Sequence, residues 1–302
     1  MLRVAINRFV NRFLYDMLRH YILTRFNLRL WRKDKNNHAT LCREWLDERF
    51  QLFEKYCLPS VAGQTVKDFV WVVLFDRDTP QHYKDKVEEY KKSCPMFFPV
   101  FVRPDAGYMF QLIFQQFIER DLKALQGEGK RVEKVVTTYL DNDDALNKLY
   151  VERIQQLAVN LSDKTYITFY YGLQYFPDLN IANRVRYREN HFNSFVEVPD
   201  EQCRVLTTYC SSHAFIFKDK KYKVHSVEDK ETPMWMECVH PRNVMNDILL
   251  RRRTALVTDR QMLNHSFHVD ATLSENGRRI FCTTFLWRML KTYARYARRR
   301  WF

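Results

Sequence analysis

Two aspartates, Asp141 and Asp143, stand two residues apart in Leu140-Asp-Asn-Asp-Asp144, directly after the apolar run Lys134-Val-Val-Thr-Thr-Tyr-Leu140. In an extended segment, residues two apart share a face with Cα atoms roughly 6.6 Å from one another, so both carboxylates can serve one site. Hard oxygen ligands on a short loop suit Mg²⁺ or Mn²⁺, whose other positions water and phosphate oxygens can fill. Such an ion neutralises a departing diphosphate as a Lewis acid. Acids after a strand also cap a following helix, and Asp144, just before the stretch Ala145 to Leu157, is assigned that role. A further acid, Asp76, ends the run Phe69-Val-Trp-Val-Val-Leu-Phe75.

The elements that must position these acids alternate in type. Tyr21 to Arg25 is expected as a short strand and Leu41 to Cys57 as a helix with the stripe Trp45, Leu46, Phe50, Phe53 and Tyr56, ended by Pro59 and Gly63. Phe69 to Phe75 has the uniform apolar character of a strand covered on both faces. Tyr83 to Ser93 is expected as a helix, Met96 to Val102 as a strand, Tyr108 to Leu125 as a helix and Lys134 to Leu140 as a strand. This alternation implies a crossover-connected, mainly parallel sheet flanked by helices, in which ligands bind beyond the carboxyl ends of the strands. Asp76 and Asp141 both sit there. Ala145 to Leu157 is expected as a helix, and Lys164 to Tyr171 and Arg204 to Phe217 as strands of a less regular second half.

Composition narrows the class. The 302 residues include only 6 Gly and are 46% hydrophobic, enough for one large α/β domain with appendages. The 7 cysteines are odd in number, scattered, and without metal-ligand spacing, as expected of a reduced, cytoplasmic protein without structural zinc. No apolar run approaches the roughly 20 residues of a membrane span, and Arg3, Arg8 and Arg12 interrupt any signal-peptide core, so neither segment is expected. The net charge of +13 points to a polyanionic partner without choosing among nucleotide diphosphate, anionic lipid and nucleic acid.

The segments Leu58-Pro-Ser-Val-Ala-Gly-Gln64-Thr and Phe69 to Asp76 resemble the opening of GT-A glycosyltransferases, and Leu140-Asp-Asn-Asp-Asp144 resembles their DXD motif. Four ordered blocks narrow the resemblance: Leu23-Thr-Arg-Phe-Asn27, Leu52 to Val61, the Asp-Asn-Asp-Asp-Ala run, and Trp235-Met-Glu-Cys-Val-His240-Pro-Arg-Asn243-Val. Together, over about Tyr21 to Asn246, they are similar to a bacterial family named as rhamnosyltransferases. The resemblance implies a GT-A nucleotide-diphospho-sugar transferase fold and a metal-dependent transfer of a sugar, rhamnose by the family name. The donor would be a nucleotide-diphosphate sugar, and the acceptor a cell-surface polysaccharide, lipopolysaccharide or lipid-linked glycan. It also implies that Asp76 contacts the nucleoside and that Asp141 and Asp143 hold Mn²⁺ or Mg²⁺ and the ribose or diphosphate. His240 is the matching candidate for a third metal ligand, although Pro241 stands where a glycine is common. Trp235 and Asn243 accompany it at the donor site, and Asn27 joins them by resemblance alone.

Arg25 follows the first strand, where a guanidinium can grip a phosphate or the acceptor with forked hydrogen bonds, or stand as a solvated surface charge. An inverting transferase needs a carboxylate to take the acceptor's proton. Glu228, Asp229, Glu231 and Glu237 are available, and Asp229 is ranked first. Two other classes compete: a nucleic-acid-binding protein, suggested by charge alone, and a haloacid-dehalogenase-type phosphohydrolase. The first lacks any groove-reading or RNA-binding motif, so no nucleic-acid partner is expected. The second carries its Asp-x-Asp near the chain start, followed by x-Thr or x-Val rather than Asp144-Ala145.

Residues 1–20 are expected as a basic amphipathic extension, with Leu2, Ile6, Phe9, Phe13 and Met17 at helical spacing. Residues 21–250 are expected to form the transferase domain, and 251–302 a tail ending in a basic aromatic helix. In that helix Phe285, Leu286, Met289, Leu290 and Tyr293 oppose Arg288, Lys291 and Arg295. Such helices suit peripheral docking on the anionic inner face of the cytoplasmic membrane, and packing against the domain is the other reading.

Overall fold

The computed structural model describes residues 17–31, 33, 39–243, 253–284, 286–287 and 290. Four parallel strands form its centre: β1 (Leu18–Arg25), β2 (Val70–Asp76), β3 (Phe97–Val102) and β4 (Lys134–Tyr139). On the far side of β4 lie β6 (Thr165–Phe169), β9 (Asn193–Glu197) and β10 (Lys223–Val227), with β9 antiparallel to both neighbours. The resulting seven-stranded sheet has the order β10-β6-β9-β4-β1-β2-β3. This is the mainly parallel α/β sheet expected from the alternation of elements.

Helices cover both faces. On one side α1 (Arg43–Leu52), α3 (Gln81–Ser93) and α5 (Tyr150–Ala158) pack on Ile22, Trp71, Val73 and Phe75. On the other, α4 (Phe110–Gly127) sets Phe114, Ile118 and Leu122 against Tyr21, Leu23, Val72 and Leu74. Successive β2 side chains alternate between these two cores, which explains why the whole run had to be apolar. After α1 the helix passes through a π turn, Phe53–Cys57, into α2 (Leu58–Ala62). Pro59 lacks the N–H that would bond the carbonyl four residues earlier, so a local change of register relieves the conflict.

A second, five-stranded sheet has the order β12-β8-β7-β11-β5, made by β5 (Ala145–Leu146), β7 (Tyr171–Phe176), β8 (Ile181–Arg186), β11 (Trp235–Cys238) and β12 (Arg253–Val257). Three local expectations change here. Ala145 and Leu146 pair with β11 instead of starting a helix, and Asn147, accepting from the Leu149 amide at 3.0 Å, leads into α5. Residues 204–217 form turns and the 3₁₀ segment Thr208–Cys210 instead of a strand, because Glu197 and Thr137 side chains capture the amides of Leu206, Thr207 and Thr208. The described residues 253–284 pack into the domain instead of standing apart as a helical tail. β12 pairs with β8, α6 (Arg260–Phe267) buries Leu263 and Phe267, and Phe281 reaches a core with Phe176 and Ile181.

At the other end, Leu18 to His20 of the extension expected over residues 1–20 belong to β1 instead, and residues 1–16 lie outside the described residues. Residues 277–284 are helical, four residues ahead of the helix expected from Phe281 onward, and most of the basic stretch after them lies outside the described residues. Among the described residues, no helix is long and apolar enough to cross a membrane.

Candidate functional site

The strand order turns outward in both directions from β1, so the carboxyl ends of β2, β1 and β4 lie at the topological switch point, the place where open α/β sheets bind ligands. Asn27, just past β1, fastens this edge: its amide nitrogen donates to Thr79 Oγ1 at 2.9 Å, and its oxygen accepts from the Asp76 amide at 3.0 Å. Asp76 is held in turn by Arg29 Nε on Oδ2 and by the Asp78 amide on Oδ1, each at 2.7 Å. Arg29 had drawn no attention in the sequence, since an isolated surface arginine carries no pattern.

The loop after β4 sends its acids in different directions. Three donors converge on Asp143 Oδ2: Arg49 Nη1 at 2.6 Å, Asn243 Nδ2 at 2.9 Å and His240 Nε2 at 3.0 Å. Burial disfavours the charged carboxylate, but the Arg49 charge and the His240 hydrogen bond outweigh it and hold Asp143 well below the ordinary range. His240 lies between Asp143 and Glu48, whose Oε1 is 3.4 Å from Nδ1. Burial opposes its protonation, and those two partners raise it. Asn243 also accepts from the His240 amide at 2.6 Å, closing the turn through Pro241 and Arg242. His240 and Asn243 thus grip Asp143 from one side while Arg49 grips it from α1.

Asp141 and Asp144 face elsewhere. His191, in the turn before β9, places Nε2 2.9 Å from Asp144 Oδ2 and 4.0 Å from Asp141 Oδ2. One ligand atom from each of these three residues lies within 4.8 Å of the others. Asp144 does not cap α5; it is fully buried and accepts the Cys238 amide at 2.8 Å. Burial pushes its carboxyl up. Burial opposes charge on His191 as well, but the bond to Asp144 raises the imidazole to about 9. Two carboxylate oxygens and one imidazole form a donor set that fits Mn²⁺ or Mg²⁺.

Trp235 is wholly buried. Its ring stacks on Phe192 at 4.9 Å, its Nε1 donates to Phe169 O at 2.8 Å, and it covers Gly172, where a Cβ would lie 2.0 Å from the indole. It therefore supports β11 and the turn carrying His191. Of the four candidate bases, Glu228 is engaged by Arg186 and Asp229 caps its own turn by accepting from Glu231 and Thr232 amides at 3.0 and 3.2 Å. Glu237 is buried, accepts from Gln174 at 2.6 Å, and is pushed up by burial, with His191 opposing that shift.

Arg25 lies under Asp141. Its Nη2 donates to Tyr139 OH at 2.7 Å, and its guanidinium sits over Phe110, Tyr139 and Tyr209 at 4.8, 5.5 and 5.6 Å.

The mainly parallel sheet thus carries a carboxylate cluster beyond its carboxyl strand ends, where open α/β folds bind their ligands. The chain belongs to the family described as "Putative rhamnosyl transferase", which matches residues 17–252. Among solved structures it is similar to S. aureus TarS 1-349, at 12% identity and a TM-score of 0.40, over 73% of this chain and 60% of that one. It is also similar to S. aureus TarS, at 12% identity and a TM-score of 0.33, over 74% of this chain and 37% of that one. The chain thus spans less than two thirds of either structure's length. No curated protein matches it.

Proposed function

We propose that this glycosyltransferase moves rhamnose from a nucleotide-diphosphate donor to a hydroxyl of a polysaccharide, lipopolysaccharide or lipid-linked acceptor, with Mn²⁺ or Mg²⁺. The observation that carries this reading is the convergence of Asp141, Asp144 and His191 at the strand ends. These three would hold the cation, whose chemistry is to offset charge on the leaving diphosphate. Asp143 supports them from behind, anchored by Arg49, His240 and Asn243. Asp76, at the end of β2 beside Arg29, is assigned to the nucleoside, with Asn27 holding that edge in place.

The acceptor oxygen bonds to the anomeric carbon as the bond to the diphosphate breaks, and a carboxylate takes the hydroxyl proton. Glu237 is assigned this task over Asp229, because it lies in the field of His191 and burial raises its proton affinity. The exposed Leu286 and Leu290, together with the basic sequence beyond them, support peripheral contact with an anionic membrane surface.

A screen of nucleoside-diphosphate sugars, each with and without Mn²⁺, tests the reading through protection against thermal unfolding. The expected result is a metal-dependent rise in melting temperature with a rhamnose donor. Protection by the same donor that is indifferent to metal and to Asp141→Asn would sink it.

A further inference from the structure

Asp141 is the most open member of the acid cluster, with its side chain 30% exposed, yet its carboxylate has a fixed orientation. Tyr139 OH lies 2.7 Å from Asp141 Oδ1 and 2.7 Å from Arg25 Nη2. A guanidinium can only donate hydrogen bonds and an ionised carboxylate can only accept them. The phenol therefore accepts from Arg25 and sends its own proton to Asp141. This polarity leaves the phenol one arrangement, and it assigns Oδ1 to the protein. Oδ2 is the oxygen turned toward His191, at 4.0 Å.

Arg25 is equally constrained. Its three aromatic neighbours come from β4, from the start of α4 and from the Thr208–Cys210 segment, so the guanidinium is gripped from three parts of the chain. Its Nη2 also stands 3.7 Å from Asp141 Oδ1, adding attraction along the same line. A charge enclosed in this way is poorly placed to leave its box and bind a phosphate, and well placed to hold a neighbour still.

We propose that Arg25 and Tyr139 are positioning residues that hold Asp141 with Oδ2 presented to the cation, so that the metal site is preorganised before donor arrives. This rests on the cation reading given above and extends it to residues that need touch neither metal nor sugar. Groups that orient a metal ligand typically alter affinity by about 10–100-fold when removed.

The test is Mn²⁺ binding to the full chain without donor, measured by calorimetry and by the electron paramagnetic resonance signal of free Mn²⁺. Tyr139→Phe keeps the ring that stacks with Arg25 and removes the hydroxyl alone. It should weaken Mn²⁺ binding by about 10-fold or more, and excess Mn²⁺ should restore turnover. Arg25→Lys, which keeps the charge but not the fork, should act in the same direction, and a melting curve of each apo variant checks that it is folded. Unchanged Mn²⁺ affinity in folded Tyr139→Phe overturns the inference while leaving the cation reading intact. Failure of the wild-type protein to bind Mn²⁺ or Mg²⁺ overturns both.

Discussion

Arg49 Nη1 and Asp143 Oδ2 meet at 2.6 Å with side-chain exposures of 7% and 4%, joining α1 to the loop that follows β4. Removing one partner of a buried pair strands the other charge away from water, at a cost of about 3–5 kcal/mol. Arg49→Ala is therefore expected to lower the unfolding free energy by about that amount, and Arg49→Met with Asp143→Asn by much less. Urea denaturation of the single and double variants measures the difference. A loss near zero for Arg49→Ala would show that the loop does not depend on this contact.

Substitution at the three converging ligands should act on metal instead. Asp141→Asn, Asp144→Asn and His191→Gln are each expected to reduce activity by at least about 100-fold, and chelation of the wild type should do the same. His240→Ala, by contrast, should lower the melting temperature while leaving the Mn²⁺ concentration for half activity nearly unchanged. A metal requirement that shifts with His240→Ala but not with His191→Gln would place the ion on the Asp143 side of the loop.

How far the sequence discloses this site depends on whether each signal is local. The β2 run and the Asp-Asn-Asp-Asp loop are contiguous, and both positions were evident from pattern alone. His191 was not, because its partner Asp144 is 47 residues away and nothing nearby marks it. Arg49 could have been found: it follows Trp45 by four residues and precedes Phe53 by four, so a charge sits within an apolar helical stripe. A charge so placed calls for a buried partner. Residues 204–217 misled because their β-rich composition is overridden by Glu197 and Thr137, which reach them from separate strands.

Asp76→Ala should weaken donor binding even at saturating metal, by about 10-fold, the equivalent of about 1.4 kcal/mol. Calorimetric titration with the nucleoside diphosphate in the presence of Mn²⁺ checks this. Unaltered affinity would reduce Asp76 to a clasp for Arg29 and the Asp78 amide.

Acid should destabilise the fold through His20. The ring is 1% exposed, with Nε2 2.8 Å from Thr138 Oγ1, and burial lowers its pKa to about 3. The unfolded chain takes up a proton near pH 6.5 and the folded one does not. Stability from this group is thus complete above about pH 6.5 and declines as pH falls toward 3, by roughly 2 kcal/mol at pH 5. Denaturation of the wild type and His20→Gln at pH 7.5 and 5 should show a smaller acid loss in the variant. Equal slopes would remove His20 as the cause.

Truncation after Thr284 spares Phe281 and its core contacts but deletes the basic run from Arg288 onward. Binding to vesicles containing anionic lipid should fall, since each lysine or arginine near such a surface contributes about 1 kcal/mol. Sedimentation at low and high salt, with a melting curve of the shortened protein, measures both effects. Vesicle binding that survives truncation would move the membrane contact to residues 1–16.

The contacts that anchor Asp143 join residues 94 to 100 positions apart in sequence. A ribosome adding residues at roughly 5–20 per second would therefore release β1 to β4 well before His240 and Asn243 exist to anchor Asp143. During that interval Arg49 and Asp143 can meet, but the loop lacks its second wall and β11 has not yet paired with β5. The nascent chain would pass through a stage with much of its sheet formed and no competent site. Donor would begin to shelter the protein from proteolysis only once residue 243 had left the exit tunnel.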